Sequence, residues 1–175
     1  AHIDIMDHTV GTGLIQSDDG AIQGITALRG NEALRIRARK VVLTTGGYNA
    51  NSELLARYIP DMADAPNIGA NTDRGDGIIW GERAGAATAL MSGYQGRDCI
   101  SADGTRVTPP VLNEGGIAVN SSGKRFVNER QDYSALARIY RQQPAQVAFF
   151  IWDQRIQHMV EDVFVMQQAM ARGGI

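Results

Sequence analysis

Residues 41–48, VVLTTGGY, constrain this chain more than any other stretch. Val41, Val42 and Leu43 form a short continuous apolar run, the pattern of a strand buried on both faces. Thr44, Thr45, Gly46 and Gly47 end it. Glycine tolerates positive φ and lets backbone approach a ligand closely, so a glycine pair after a buried strand marks a tight turn or a close contact. The same device recurs along the chain, which has 20 glycines. They sit in pairs between patterned segments, at Gly46-Gly47, Gly75/Gly77, Gly115-Gly116 and Gly173-Gly174. Taken alone, a buried strand meeting a glycine turn is the plainer reading of VVLTTGGY. Its neighbours decide whether it is more.

Upstream, the sequence reads as an antiparallel meander. Leu14-Ile15 precede Asp18-Asp19-Gly20, a hairpin turn, and Ile22, Ile25 and Ala27 continue beyond it. A second turn at Asn31 leads into the alternating LRIRARK. Downstream, Asn51-Ser52-Glu53 opens a helix, SELLARYI, that Pro60 stops. Residues 61–73 are polar and loop-like, a candidate boundary between a domain at 1–65 and another at 66–175. Gly75-Asp76-Gly77 leads into a second helix, IIWGERAGA, that ends near Gly85. Residues 87–115 read as short strands and an irregular excursion. GIAVN and RFV form an expected hairpin around Ser122-Gly123. A helix over 133–142, a buried strand over 147–152 and a helix over 154–171 complete the pattern. The fold class is α+β.

Composition limits the functions open to such a chain. It is 43% apolar and 21% charged, enough for a packed core. Its net charge of -2 argues against a nucleic-acid partner or an anionic lipid surface, both of which call for basic patches. No apolar run approaches the roughly 18 residues of a membrane span, so direct membrane insertion is not expected. A single cysteine, Cys99, excludes an internal disulfide and points to a cytoplasmic location. His2, His8, His158 and Cys99 share no metal-ligand spacing. Gly11-Thr12-Gly13 lacks the third glycine and the following helix of a dinucleotide-binding turn.

The order of segments carries more information than any one of them. The meander is followed by VVLTTGGY, NANSELLARYIP, RGDG with a helix, GGIAVNSSGKRFVNE and FFIWD. This series resembles the flavoprotein subunits of fumarate reductase and succinate dehydrogenase, with 3-ketosteroid and tricarballylate dehydrogenases as wider relatives. The resemblance implies FAD as cofactor. It also implies that residues 1–65 are the middle of an FAD-binding, Rossmann-like domain whose GxGxxG start is missing. Residues 66–175 then correspond to much of an αβ capping domain, and the chain is an internal fragment of a longer protein. Thr44, Thr45, Gly46 and Gly47 match the family's flavin-contact turn, where a Cβ at Gly46 is expected to push the cofactor away. Val10 falls where the family binds the adenine edge through backbone groups. Asp76 matches a family acid near FAD, although a plain helix N-cap explains it equally.

The catalytic positions depart from the fumarate reductase pattern. Arg97, in SGYQGRDC, stands where the family's His is expected. No Thr-Glu pair falls in register in PPVLNEGG. Tyr133, after GKRFVNE, occupies the place of the proton-donor Arg. The resemblance therefore suggests two catalytic residues. Tyr133 would handle a proton as a phenol with neighbours able to lower its pKa, Arg130 and Arg138 being near in sequence. Arg97 would clamp a substrate carboxylate through a bidentate pair. The bland alternatives are a tyrosine anchoring a helix start and a solvated arginine. The implied activity interconverts C–C and C=C bonds beside a carbonyl or carboxylate, with hydride passing to or from flavin N5. Its partners are a small carboxylate or ketone and a separate electron donor or acceptor. A catalytically silent αβ domain that binds no flavin in isolation is the competing expectation, and ketosteroid rather than dicarboxylate chemistry is another.

Overall fold

A computed structural model describes residues 3–96, 99–101, 104–105 and 110–173. They form two compact units, Ala1–Gly93 and Tyr94–Ile175. Helices mix with two small antiparallel sheets, as the α+β class requires.

The first unit opens with the meander. Strands β1 (Thr9–Gln16), β2 (Ile22–Arg29) and β3 (Glu32–Arg37) pair in chain order. The β1–β2 turn falls at the Asp18-Asp19-Gly20 signal. Gly20 has φ +88° and donates its N–H to Ser17 O at 2.9 Å. Register shifts between Gly11 and Gly13 and between Ile15 and Gln16 bend β1. Gly24, at φ +150°, lies so close to β3 that a Cβ there would strike Ile36 O.

Helix α1 (Ser52–Tyr58) is capped as its sequence predicts. Asn51 Oδ1 accepts the N–H groups of Glu53 and Leu54, both at 3.1 Å. Pro60 stops α1 by opening a single 3₁₀ turn, Pro60–Met62. The polar stretch 61–73 is stitched back onto residues 47–51. Ala50 N–H donates to Asp73 O at 2.9 Å, Asn49 Nδ2 to Asn67 Oδ1 at 2.7 Å, and Gly75 N–H to Gly47 O at 2.9 Å. Helix α2 (Asp76–Arg83) belongs to this first compact unit.

One central expectation fails here. Residues 41–43 are not a buried strand. They run without regular secondary structure, and Val42 is 83% exposed. Burial on both faces needs a neighbouring strand on each side, and no described strand pairs with this run.

The second unit is built from shorter pieces. Its elements are α3 (Pro110–Asn113), β4 (Ile117–Asn120), α4 (Tyr133–Arg141), β5 (Ala148–Ile151), α5 (Gln154–Val160) and α6 (Phe164–Ala171). Two clusters hold them. Val111, Leu112, Ile156, Val160 and Met166 form one. Ala118, Leu136 and Tyr140 form the other, with Phe126 meeting Tyr140 edge-on at 5.6 Å between ring centroids.

The expected hairpin of GIAVN with RFV is also corrected. The Ser122-Gly123 turn forms, with Gly123 N–H on Asn120 O at 2.9 Å. The partner of β4 is β5, however, and Arg125 retains only an isolated bridge to Val119. The cause is Glu129. Its carboxylate accepts the Ala118 N–H at 2.9 Å, taking the place of the carbonyl that a third strand would offer. Strand β5 is buried on one face only. Phe150 packs inward while Phe149 and Ile151 are exposed. The single helix expected over 154–171 breaks at residues 161–163. On one straight helix Met166 would lie about 120° around from Val160 at 3.6 residues per turn. The break turns Met166 into the cluster of Ile156 and Val160, where it is 1% exposed.

Candidate functional site

Helix α2 acts as the ruler of the first unit's site. At its first turn, Gly77 N–H donates to Thr45 Oγ1 at 3.2 Å. A side chain at 77 would strike that hydroxyl and come within 3.6 Å of the Leu43 Cβ. One turn later, the Trp80 ring lies 3.2 Å from where a Gly11 Cβ would stand. Gly11 follows Val10, so the helix ties the Thr44–Gly47 turn and the start of β1 to one element. Gly11 thereby gives room to the Trp80 ring, and the register shift between Gly11 and Gly13 bends the strand beside it.

The turn itself is exposed over 44–47. Gly46 takes φ +73°, which favours glycine. The Cβ direction of Gly46 points into the Asp73 carboxylate, which gives this glycine a structural reason beside the expected cofactor contact. Gly47 differs, since nothing lies within 4 Å of where its Cβ would be. Asp76 is also re-read. Gly75, at φ +80°, is the N-cap residue, and no side chain caps the helix. Asp76 is the exposed first residue of α2, where its charge complements the helix dipole. Val10 is 65% exposed, with its backbone paired to Leu28.

In the second unit, residues 94–96 pack tightly on α4. A Cβ at Gly96 would stand 2.5 Å from Ala137 Cβ and 3.2 Å from Ser134 O. The Arg138 guanidinium stacks over the Tyr94 ring, its Cζ 5.0 Å from the centroid. The Tyr94 hydroxyl is buried. Arg97, next after Gly96, lies outside the described residues. Tyr133 opens α4, directly after Asp132, whose Oδ1 accepts Ser134 N–H at 3.0 Å.

Glu129 fixes the approach to that helix. It is 4% exposed, and its Oε2 lies 2.6 Å from Arg125 Nη2. Burial alone would raise its pKa. The hydrogen bonds from Arg125 and from Ala118 N–H outweigh burial and hold the carboxyl below its ordinary value. Sequence reasoning left two features unseen, the packing of Gly96 on α4 and the approach of Asp73 to Gly46. The glycine in GYQGR was a usable signal for the first. Asp73 lay hidden in a loop without periodicity.

Among the described residues no group of three or more His, Cys, Asp or Glu could hold a metal ion. Nor is any described helix long and apolar enough to cross a membrane.

The arrangement recurs in a flavoprotein. The open conformation of a flavocytochrome c3 fumarate reductase superposes with a TM-score of 0.71 at 27% identity, covering 94% of this chain and 28% of that one. The chain belongs to the FAD binding domain family, whose model matches residues 1–153. FAD is the cofactor that this membership assigns. The "Probable fumarate reductase Ifc3" of Shewanella frigidimarina is 30% identical over 146 residues, 82% of this chain and 25% of that protein. A 3-oxosteroid 1-dehydrogenase of Mycolicibacterium smegmatis is 34% identical over 125 residues, 66% of this chain and 22% of that protein. The chain thus spans about a quarter of the length of these relatives. The turn leaves room for the cofactor, because the Cβ side of Gly47 is open.

Proposed function

We propose that this chain is part of an FAD-dependent oxidoreductase that interconverts C–C and C=C bonds beside a carbonyl or carboxylate. The single observation that carries the reading is the double contact of α2, with Thr45 at one turn and Gly11 at the next. It supports a backbone surface on which Thr44, Thr45, Gly46, Gly47 and Val10 hold FAD, with the Asp76 charge nearby. The first unit then derives from an FAD-binding, Rossmann-like domain and the second from a capping domain.

When bound, FAD supplies hydride exchange at its N5 atom, and the protein supplies positioning and proton handling. Tyr133 handles the proton at its phenol oxygen. Arg97 grips the carboxylate or carbonyl of a small substrate. The seating of Gly96 on Ser134 and Ala137 supports this pairing, since Gly96 precedes Arg97 and Ser134 follows Tyr133. The electron donor or acceptor is a separate partner. We place the activity in the cytoplasm.

The departures at Arg97 and Tyr133 favour ketone chemistry over fumarate reduction. The exposure of Val42 favours a second reading for the isolated chain, a folded αβ piece that binds no flavin by itself. The test is turnover of the full-length protein with succinate and with a 3-ketosteroid, using an artificial electron acceptor. Tyr133→Phe is expected to lower turnover by about 10²- to 10⁴-fold with flavin content unchanged. Turnover equal to wild type removes Tyr133 from the mechanism. Absence of flavin absorbance in the full-length protein defeats the whole reading.

A further inference from the structure

Asp73 is drawn against the flavin-contact turn by backbone alone. Its N–H donates to Ala70 O at 3.1 Å, and its carbonyl accepts the Ala50 N–H at 2.9 Å. Asn51 Nδ2 holds the next carbonyl, Arg74 O, at 2.8 Å. These bonds place the carboxylate on the Cβ side of Gly46. A Cβ there would collide with Oδ1 and stand 2.8 Å from Cγ and 3.3 Å from Oδ2. Asp73 is half-buried. Among the described residues its carboxylate has no hydrogen-bond donor and no cation as partner.

An ionised carboxylate only accepts hydrogen bonds, and covering it without a donor is costly. Whatever closes over this turn must therefore present an O–H or N–H to Asp73. The pyrophosphate of FAD does not qualify, because it carries like charge and no donor. The sugar portions of FAD qualify, since each bears hydroxyl groups.

We propose that Asp73 is a further cofactor-binding residue, its carboxylate accepting a hydrogen bond from a sugar hydroxyl of FAD, on the ribose or on the ribityl chain. The proposal rests on the FAD reading above and deepens it. It turns the sugar side of the cofactor toward Gly46 and keeps the pyrophosphate away from that point.

The test is a fluorescence titration of FAD into the flavin-free full-length protein, wild type against Asp73→Asn. Asparagine keeps the shape and removes the charge, and circular dichroism checks the fold. A hydrogen bond to a charged group corresponds to about tenfold or more in affinity, so the variant is expected to bind FAD about tenfold more weakly. Equal affinity overturns the proposal while leaving the FAD reading intact. Failure of the wild type to bind FAD overturns both. FMN and ADP separate the two sources. A loss shared with FMN assigns the ribityl chain, and a loss shared with ADP assigns the ribose. A loss shared with neither overturns the hydroxyl contact. If Asp73→Asn does not fold, the wild type is titrated with FAD analogues lacking the ribose 2′-hydroxyl or the ribityl hydroxyls. Affinities equal to that of FAD for all of them overturn the proposal.

Discussion

The two units hold themselves together differently. The first has the more regular backbone, with three paired strands and two capped or tethered helices. Yet its buried apolar residues, Ile15, Ala27, Leu54 and Ile59, form no joint cluster, and Val42, Ile5 and Ile3 are 80% exposed or more. The second unit has short strands and a broken helix, but two packed clusters. Regular hydrogen bonding and a packed interior are separate achievements. In the first unit the order lies in ladders, caps and the α2 contacts, and in the second it lies in side-chain packing.

That contrast can be broken by substitution. The largest effect is expected in the second unit's core. Met166→Ala should cost about 2–5 kcal/mol in a chemical denaturation series, because the side chain is fully enclosed and its removal leaves a cavity. Loss of amide protection should fall on residues 110–173 first. A cost near zero would mean that this cluster does not hold the unit.

Glu129→Ala comes next, at about 1–3 kcal/mol, since it leaves the Ala118 N–H without its acceptor. The carboxyl titrates below its unfolded value, so its contribution is complete above the ordinary carboxylate range. It is lost as pH falls through the lowered pKa. The gap between wild type and variant should thus narrow on acidification. A gap independent of pH would point to packing rather than charge.

The smallest change sharpens the other side. Asn51→Ala should cost about 1 kcal/mol, from the lost α1 cap, and loosen the Arg74 backbone that Asn51 also holds. Amide exchange should quicken at Glu53 and Leu54 and leave the second unit unchanged. Exchange that quickens equally in both units would contradict their separate cohesion.

Local signals in the sequence explain what could be foreseen. The meander, its Asp-Gly turn, the Asn51 cap and the start of α4 each depend on residues within a few positions of one another. The failures were non-local. The two-faced burial of Val41–Leu43 depends on strands elsewhere. The pairing of β4 depended on Glu129 removing the nearby alternative, a side-chain event invisible to periodicity. The break at residues 161–163 follows from where Met166 packs. At the candidate site, the turn was legible as a motif. The approach of Asp73 to Gly46 was not, because it comes from a loop 27 positions downstream.

The seating of Gly96 on α4 has an evolutionary consequence. A methyl group at 96 would stand 2.5 Å from the methyl of Ala137, so the two positions cannot vary independently. Growth at 96 is opposed by the Ala137 methyl and also by Ser134 O, 3.2 Å from the same point. In a family of such chains, position 96 should therefore be held to glycine most tightly where 137 carries a methyl, and a mutational scan should record 96 as intolerant.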